Sequence, residues 1–203
     1  MTRNKPYIVG LTGGIACGKS SVTSALRQAG AFVVDADEIS HALTAPGGIA
    51  LPMLRQRFGD GVFRGAELDR QALASLVFGD AAALNDLNAI MHPMVFEEME
   101  HAIRENAYAP AVVLDIPLLY ETGYDRKCGE VWSVWAPRRA QVDRLLCRGM
   151  TAEEAEKRIG SQMPALEKAR RAAHVIVTTG PKAETARLAR RLWDDLLQRL
   201  PND

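Results

Sequence analysis

The sequence has little of what marks secreted, membrane-bound or nucleic-acid-binding proteins. Its three cysteines, Cys17, Cys128 and Cys147, are too few and too scattered for a disulfide framework or a zinc knuckle. No segment approaches the ~20 apolar residues of a membrane span, and the N-terminus lacks the apolar stretch of a signal peptide. Lys plus Arg equals Asp plus Glu at 25 each, which argues against nucleic-acid and membrane partners. We therefore expect a soluble, cytoplasmic protein.

The rest of the composition is that of an ordinary globular protein, with 47% apolar and 25% charged residues. A chain of 203 residues is long enough to bury a sizeable core and short enough to form one domain with insertions. We expect a single domain over residues 1–203, and a monomer is the favoured oligomeric state. Because the chain has no net charge, any site for an anion must be a local arrangement of donors.

Five short apolar runs rich in β-forming residues predict buried strands, and helical patterns separate them. The strands are predicted at residues 7–12, 31–35, 111–115, 131–135 and 174–177. Continuous apolar strands separated by helices are typical of a parallel sheet covered by helices on both faces. We therefore predict an α/β fold. Its core is expected to comprise residues 6–40, 110–136 and 173–203.

A long segment, residues 41–109, interrupts this core between the second and third strands. It is too long for a single crossover, so we predict a helical insertion beside the sheet. Asp69 and Asp80 are suited to cap helices in it, and His92-Pro93 is predicted to interrupt another helix.

A second interruption, residues 137–172, lies between the fourth and fifth strands and is rich in Arg, Lys and Glu. Thr151 and Glu154 have the spacing of a capping box, which predicts a helix start inside this segment. A mobile helical segment beside a nucleotide site can act as a lid that excludes water. We expect such a lid here.

The strongest motif is Gly13 to Ser20, which matches G-x-x-x-x-G-K-[ST] between a predicted strand and a predicted helix. Backbone N–H groups of such a loop surround a phosphate, and the positive end of the helix dipole favours the anion. Lys19 is expected to reach the β- and γ-phosphates of ATP, and the Ser20 hydroxyl to ligate Mg²⁺. Cys17 is interpreted as a small residue filling a tight loop, not as a catalytic thiol. The predicted ATP-binding residues of this segment are Gly14, Ile15, Ala16, Cys17, Gly18, Lys19, Ser20 and Ser21.

Asp35 and Asp37 follow the second predicted strand directly. In a parallel sheet this position is the carboxyl edge, where ligands bind. One of the two can orient an acceptor hydroxyl and receive its proton. An aspartate at this position can equally cap a helix, and for Asp35 both interpretations remain open.

Asp115 ends the third predicted strand, as the acid of a Walker B motif does, and is suited to hold Mg²⁺ through water. The N-K-x-D motif by which GTPases read guanine is absent, which argues against that class.

Several arginines fall in the second interruption: Arg138, Arg139, Arg144, Arg148 and Arg158. A mobile arginine can stabilise the charge that develops during transfer of a γ-phosphoryl group. Most arginines on such helices are solvated, so about four of these five are expected to be surface charges.

Taken together, these stretches resemble the dephospho-CoA kinase family over nearly the whole chain. The stretches that carry the resemblance are residues 11–15 with 18–20, Asp35-Ala36-Asp37, His92-Pro93, residues 115–121, residues 144–148, and residues 161–164 with Lys168. The resemblance implies ATP-dependent phosphorylation of the ribose 3′-hydroxyl of dephospho-CoA, with Mg²⁺, in the last step of CoA synthesis. It also implies that residues 41–109 bind the CoA moiety and that residues 137–172 form the lid.

The resemblance further implies roles for individual residues. Asp37 is the expected catalytic base, Lys19 a catalytic cation, and Arg144 the expected lid arginine at the phosphates, with Arg148 as a second ATP-binding arginine. Residues implied for the acceptor pocket or its support are Thr12, Asp37, His92, Leu118, Glu121, Gln162 and Lys168.

The chain departs from the family pattern near the fifth strand. The family usually has Val-Ile-Asp-Asn there, whereas this chain has Val177, Thr178 and Thr179 after Ile176. The asparagine that can help hold the adenine is thus missing.

Two other functions fit the same architecture. A kinase of nucleosides, nucleoside monophosphates or another small metabolite would use the insertion for a smaller acceptor. A non-catalytic ATP-binding switch would bind nucleotide without acceptor-dependent release of ADP, but Asp37 at the carboxyl edge argues against it.

Overall fold

A computed structural model describes residues 5–201, which divide into two compact units. One unit combines the residues up to Val34 with those from Ile103 onward, and the other is Asp35–Ala102. In chain order the elements are β1 (Tyr7–Gly13), α1 (Lys19–Gln28), β2 (Phe32–Asp35), α2 (Ala36–Leu43), α3 (Leu51–Phe58), β3 (Phe63–Arg64), β4 (Glu67–Leu68), α4 (Arg70–Phe78), α5 (Ala81–Glu105), β5 (Ala111–Asp115), β6 (Glu130–Trp135), α6 (Arg138–Leu146), α7 (Ala152–Gly160), α8 (Ala165–Arg171), β7 (His174–Val177) and α9 (Lys182–Arg199).

The five predicted strands form one parallel sheet in the order β2-β5-β1-β6-β7, which confirms the predicted fold class. β1 lies at the centre and pairs with β5 from Tyr7 opposite Ala111 to Leu11 opposite Asp115. On its other side it pairs with β6 up to Gly13 opposite Val134. This register puts the end of β5 beside the end of β1, where the glycine loop begins.

Successive side chains of a strand point to opposite faces of the sheet, so both faces of the central strand need a covering of apolar residues. Val9 and Leu11 of β1 are fully buried on one face, against apolar residues of α1 and α9. Gly10 lies on the other face, where a Cβ would be 2.7 Å from a Leu119 methyl and 2.9 Å from Cys128 Sγ. The central strand is therefore covered on both sides.

The segment 137–172 contains three short helices, α6, α7 and α8. The capping box predicted at the start of α7 is present: Thr151 N donates to Glu154 Oε2 at 2.8 Å, and Glu154 N donates to Thr151 Oγ1 at 3.2 Å. Leu145, Ala155 and Ile159 form a small buried cluster with Ala16 of the glycine loop. This cluster packs α6 and α7 against the loop.

The second unit is mainly helical, with its own apolar cluster of Val62, Leu73, Val77 and Ala83. Asp69 caps α4, as predicted, and accepts hydrogen bonds from Gln71 N and Ala72 N at 3.1 Å. Asp80 likewise accepts bonds from the N–H groups of Ala82 and Ala83 at the start of α5.

The prediction that His92-Pro93 interrupts a helix is wrong, because α5 continues through Pro93. Proline in a helix interior removes one backbone donor and crowds the preceding turn. Met91, Val95 and Met99 are buried at intervals of four residues, which is the spacing of one helical face. Burial of this face outweighs the local preference of proline.

The short hairpin of β3 and β4 was not predicted. Gly65 turns it with φ +63°, and Arg55 holds the turn by donating from Nη2 to Gly65 O at 2.6 Å. Two-residue strands are too short for an alternating pattern to show in the sequence. Among residues 5–201, no helix combines the length and apolar character that crossing a membrane requires.

Candidate active site

The glycine loop lies between the end of β1 at Gly13 and the start of α1 at Lys19. Gly18 precedes the helix in the left-handed region, with φ 88°. Ala16 also has a positive φ, 57°, which an L-residue adopts at a cost of roughly 1–2 kcal/mol. The loop conformation at Ala16 must therefore be held by its surroundings.

Gly13 and Gly14 are required by close neighbours. A Cβ on Gly13 would lie 2.6 Å from Val134 O, and a Cβ on Gly14 would lie 2.7 Å from Gln141 Nε2 and 2.9 Å from Ala165 Cβ. The motif glycines thus let β6, α6 and α8 approach the loop closely.

Three successive carbonyl groups of the loop each accept a hydrogen bond from a side chain distant in sequence. Gln141 Nε2 donates to Ile15 O at 2.6 Å, Arg144 Nη1 to Ala16 O at 2.9 Å, and Thr178 Oγ1 to Cys17 O at 2.6 Å. In addition, Ile15 N donates to Gln162 Oε1 at 3.1 Å.

Arg144, the predicted lid arginine, contacts the loop and the end of β7. Besides Ala16 O, its guanidinium donates to Thr178 Oγ1 at 3.1 Å and to Thr178 O at 2.5 Å. Arg148, the second predicted arginine, is exposed, and its side chain forms no hydrogen bond or ion pair with the described residues 5–201. The structure thus brings only the first of the two to the loop.

Lys19 and Asp115, which the sequence placed in the ATP site, form an ion pair. Asp115 is only 1% exposed, and its second carboxylate oxygen accepts a hydrogen bond from Thr23 Oγ1 at 2.6 Å. A buried carboxylate needs such compensation to stay charged. Ser20, the predicted Mg²⁺ ligand, is exposed in the first turn of α1, with Ser21 next to it.

Several residues implied for the acceptor side form one polar network. Lys168, fully buried, donates to Pro117 O at 2.6 Å and pairs with Glu121 Oε1 at 2.8 Å. Thr12 Oγ1 donates to the same Pro117 carbonyl at 3.0 Å, and Glu121 Oε1 also accepts from Met163 N at 2.9 Å. Burial lowers the pKa of Lys168, and the neighbouring Glu121 carboxylate opposes this shift. The half-buried Leu118 lies in the segment that this network holds.

The remaining predicted residues belong to the second unit. Asp35 caps α2, since its Oδ1 accepts hydrogen bonds from Asp37 N at 2.9 Å and Glu38 N at 3.2 Å. Asp37 is exposed in the first turn of that helix. His92 is half-buried in α5 and stacks on Phe96 with ring centroids 5.7 Å apart; burial lowers its pKa.

Gln141, Thr178 and Thr23 were not singled out by sequence as site residues. In the sequence, Thr178 stands out only as a departure from the family pattern, and Gln141 and Thr23 carry no motif. Burial of their polar side chains, 4% exposed for Gln141 and 6% for Thr178, becomes visible only in the structure. Buried polar side chains almost always have hydrogen-bond partners, and for Gln141 and Thr178 those partners are backbone groups of the glycine loop.

Comparisons with known proteins identify the family of the chain. The family model for dephospho-CoA kinase matches residues 7–184. A dephospho-CoA kinase from Symbiobacterium thermophilum is 46% identical over 192 residues, which cover 92% of this chain and 80% of the relative. The crystal structure of TT1252 from Thermus thermophilus is 36% identical with a TM-score of 0.83, covering 97% of this chain and 100% of that one. A dephospho-CoA kinase from Campylobacter jejuni, 24% identical with a TM-score of 0.69 over 94% and 97% of the two chains, shows the same fold.

A glycine loop between a central parallel strand and a helix, with a lysine paired to the acid that ends the neighbouring strand, is the arrangement of a P-loop kinase. ATP is the co-substrate that this class implies. The chain belongs to the dephospho-CoA kinase family. The family predicted from the sequence is thereby confirmed.

Proposed function

We propose that this protein transfers the γ-phosphoryl group of ATP to the ribose 3′-hydroxyl of dephospho-CoA, giving CoA and ADP in the last step of CoA synthesis. The 3′ oxygen attacks the γ-phosphorus, the bond from that phosphorus to the bridging oxygen breaks in line, and ADP leaves. The observation that carries this proposal is the phosphate loop with its Lys19–Asp115 pair, in a chain of this family.

For the ATP side, we propose that the segment from Gly14 to Ser21 surrounds the phosphates, with loop N–H groups such as those of Ala16 and Gly18 donating to the phosphate oxygens, and that Lys19 contacts the same oxygens. Serine and aspartate oxygens suit Mg²⁺, so Ser20 would hold it directly and Asp115 through water. Water-mediated contact fits Asp115, because both carboxylate oxygens already have partners. When bound, the ion would neutralise charge on the phosphate oxygens. Arg144 and Arg148 are proposed as ATP-binding arginines of the lid, residues 137–172, with Arg144 acting through its contact with the phosphate loop.

For the acceptor side, we propose that Asp37 is the base that receives the 3′-hydroxyl proton. Two facts support this choice. Asp35 is used as a helix cap, and Asp37 follows the carboxyl end of β2 by only two residues. In open α/β sheets, ligands bind beyond such strand ends.

We also propose that residues 41–109 hold the CoA moiety, with His92 in contact with it, and that the protein works as a cytoplasmic monomer. The hydrogen bonds and the ion pair of Thr12, Glu121 and Lys168 support a role in fixing the segment around Leu118, against which the acceptor would lie. Gln162 would link this region to the phosphate loop through Ile15 N.

The test is ADP release in a coupled assay with Mg²⁺-ATP and a panel of acceptors: dephospho-CoA, CoA, nucleosides and nucleoside monophosphates. We expect turnover with dephospho-CoA and none with CoA, whose 3′ position already carries a phosphate. The product should coincide with CoA in mass and chromatography. Faster turnover of a nucleoside would favour the small-metabolite kinase, and ADP release that ignores every acceptor would reject the proposed reaction.

A further inference from the structure

Three side chains hold the phosphate loop by its carbonyl groups, and we call them the carbonyl clamp: Gln141, Arg144 and Thr178. Each donates to one of three consecutive carbonyls, those of Ile15, Ala16 and Cys17. The donors are distant from the loop in sequence, by 126 residues for Gln141 and 161 for Thr178. Such a set of contacts is part of the tertiary structure and not a local turn.

The members of the clamp support one another. Gln141 and Arg144 are three residues apart on α6 and so lie on the same helical face. Thr178 Oγ1 donates to Cys17 O while it accepts from Arg144 Nη1, so one hydroxyl joins the arginine to the loop. Gln141 and Thr178 are almost completely buried, which strengthens these bonds and makes their loss costly.

The clamp bears on the direction of the loop N–H groups. In a trans peptide the C=O of one residue and the N–H of the next point in opposite directions. Anchoring of the Ile15 and Cys17 carbonyls therefore turns Ala16 N–H and Gly18 N–H away from the clamp, while the Cys17 N–H between them donates to Gly14 O at 3.1 Å. A concave row of N–H groups is the anion-binding feature of such loops. The same contacts stabilise the positive φ of Ala16.

We propose that Gln141 and Thr178, together with Arg144, are positioning residues that keep the phosphate loop in its anion-binding shape before ATP arrives. Affinity for ATP then depends on side chains that act through the loop carbonyls. This inference rests on the proposed function only in taking ATP as the ligand of the loop. It also gives a role to Thr178, which lies where this chain departs from the family pattern.

The first experiment compares Thr178→Val, which keeps the shape and removes the hydroxyl, with Thr178→Ser, which restores it. Calorimetry with ATP and no acceptor should give a Kd for Thr178→Val that is about tenfold higher than that of the wild type, which is the effect of roughly one lost hydrogen bond. Thr178→Ser should bind ATP with a Kd near that of the wild type. In turnover, the KM for ATP should rise with little change in kcat or in the KM for dephospho-CoA. Thr185→Val, another buried threonine, in α9, is the matched control and should keep wild-type binding.

A second readout needs no nucleotide. Cys17 is buried inside the loop and burial raises its pKa, so its alkylation by iodoacetamide should be slow. Release of the Cys17 carbonyl in Thr178→Val should speed this alkylation by about tenfold, measured by peptide mass spectrometry against the exposed Cys147. Gln141→Leu removes the donor to Ile15 O and should change ATP binding and Cys17 alkylation in the same way as Thr178→Val. If Thr178→Val does not fold, Gln141→Leu replaces it in both measurements.

The inference is overturned if Thr178→Val binds ATP and resists alkylation like the wild type. It is also overturned if Thr178→Ser is as weak as Thr178→Val, because the hydroxyl would then not be the active group. Since binding is measured without acceptor, a wild-type protein that binds ATP but does not phosphorylate dephospho-CoA would contradict the proposed reaction alone.

Discussion

At the scale of single residues, the Lys19–Asp115 pair connects chemistry with stability. Asp115 is buried at the end of β5, so its charge depends on Lys19 and Thr23 for compensation. Lys19 is also the residue proposed to contact the phosphates. One lysine thus has two separable tasks, and a substitution must be designed to distinguish them.

We predict that Lys19→Ala abolishes turnover and also lowers thermal stability, by roughly 1–3 kcal/mol, because it leaves the Asp115 carboxylate buried without its cation. Combining Lys19→Ala with Asp115→Asn should recover most of that stability while turnover stays lost. Steady-state kinetics and thermal melts of both proteins check this. Near-normal activity of folded Lys19→Ala would reject its role at the phosphates.

The two aspartates after β2 give a second residue-scale prediction. Asp37→Asn keeps the shape but loses the proton acceptor, so kcat with dephospho-CoA should fall by about 10²- to 10⁴-fold with an unchanged melting temperature. Asp35→Asn is the matched control, because asparagine caps a helix about as well as aspartate, and it should remain active and stable. An active Asp37→Asn beside an inactive, folded Asp35→Asn would show that the proposed base is the wrong acid.

The sequence allows a prediction for residues that carry a local motif, but not for residues defined by distant contacts. Lys19 could be predicted from its position in the glycine motif, and Asp115 from the end of an apolar strand. Gln141 and Thr178 are ordinary polar residues in the sequence. Their importance comes from loop carbonyls more than 120 residues away, which no local pattern encodes.

At the scale of elements, the strands of the sheet were the most predictable part. Strands covered on both faces are continuous apolar runs, and each predicted strand agrees with the observed one to within one residue at either end. The errors lie in the second unit, in the unpredicted hairpin β3–β4 and in α5. In α5, burial of one helical face outweighs the local preference of Pro93. In the hairpin, a contact from Arg55 holds the turn, and the sequence contains no local pattern that would predict it.

Helix α5 allows a direct test of that explanation. Pro93→Ala restores a backbone donor for Ala89 O in the helix interior and removes the crowding of the proline ring. We predict that the variant is more stable by roughly 1–2 kcal/mol, after the greater flexibility of the unfolded chain is subtracted. Urea denaturation measures this, with Glu97→Ala at an exposed position one turn further on as the control. A lower stability of Pro93→Ala would show that the proline itself supports the native helix.

At the scale of the whole molecule, four groups have pKa values that folding raises, so they keep their protons to a higher pH than in the unfolded chain. Burial raises the pKa values of Cys17, Tyr7 and Tyr120, and it raises the pKa of Cys128 from 9.0 to about 12, with the Asp125 carboxylate as a second cause. Cys128 packs on Gly10 of the central strand, which explains its burial. All four groups are neutral when protonated, so their effects on stability have the same sign.

We therefore predict that the free energy of unfolding falls as pH rises above 9, and that Cys128 contributes measurably to this loss. Between pH 9 and about 12 the unfolded chain has lost the Cys128 proton while the folded protein retains it, so the folded state binds more protons and rising pH favours unfolding. By pH 10 the contribution amounts to about 1 kcal/mol. Urea denaturation under reducing conditions at pH 8 and pH 10 should show a smaller loss for Cys128→Ala than for the wild type. Cys147→Ala, which removes an exposed thiol, controls for the loss of a cysteine, and equal losses in Cys128→Ala and the wild type would contradict the assignment.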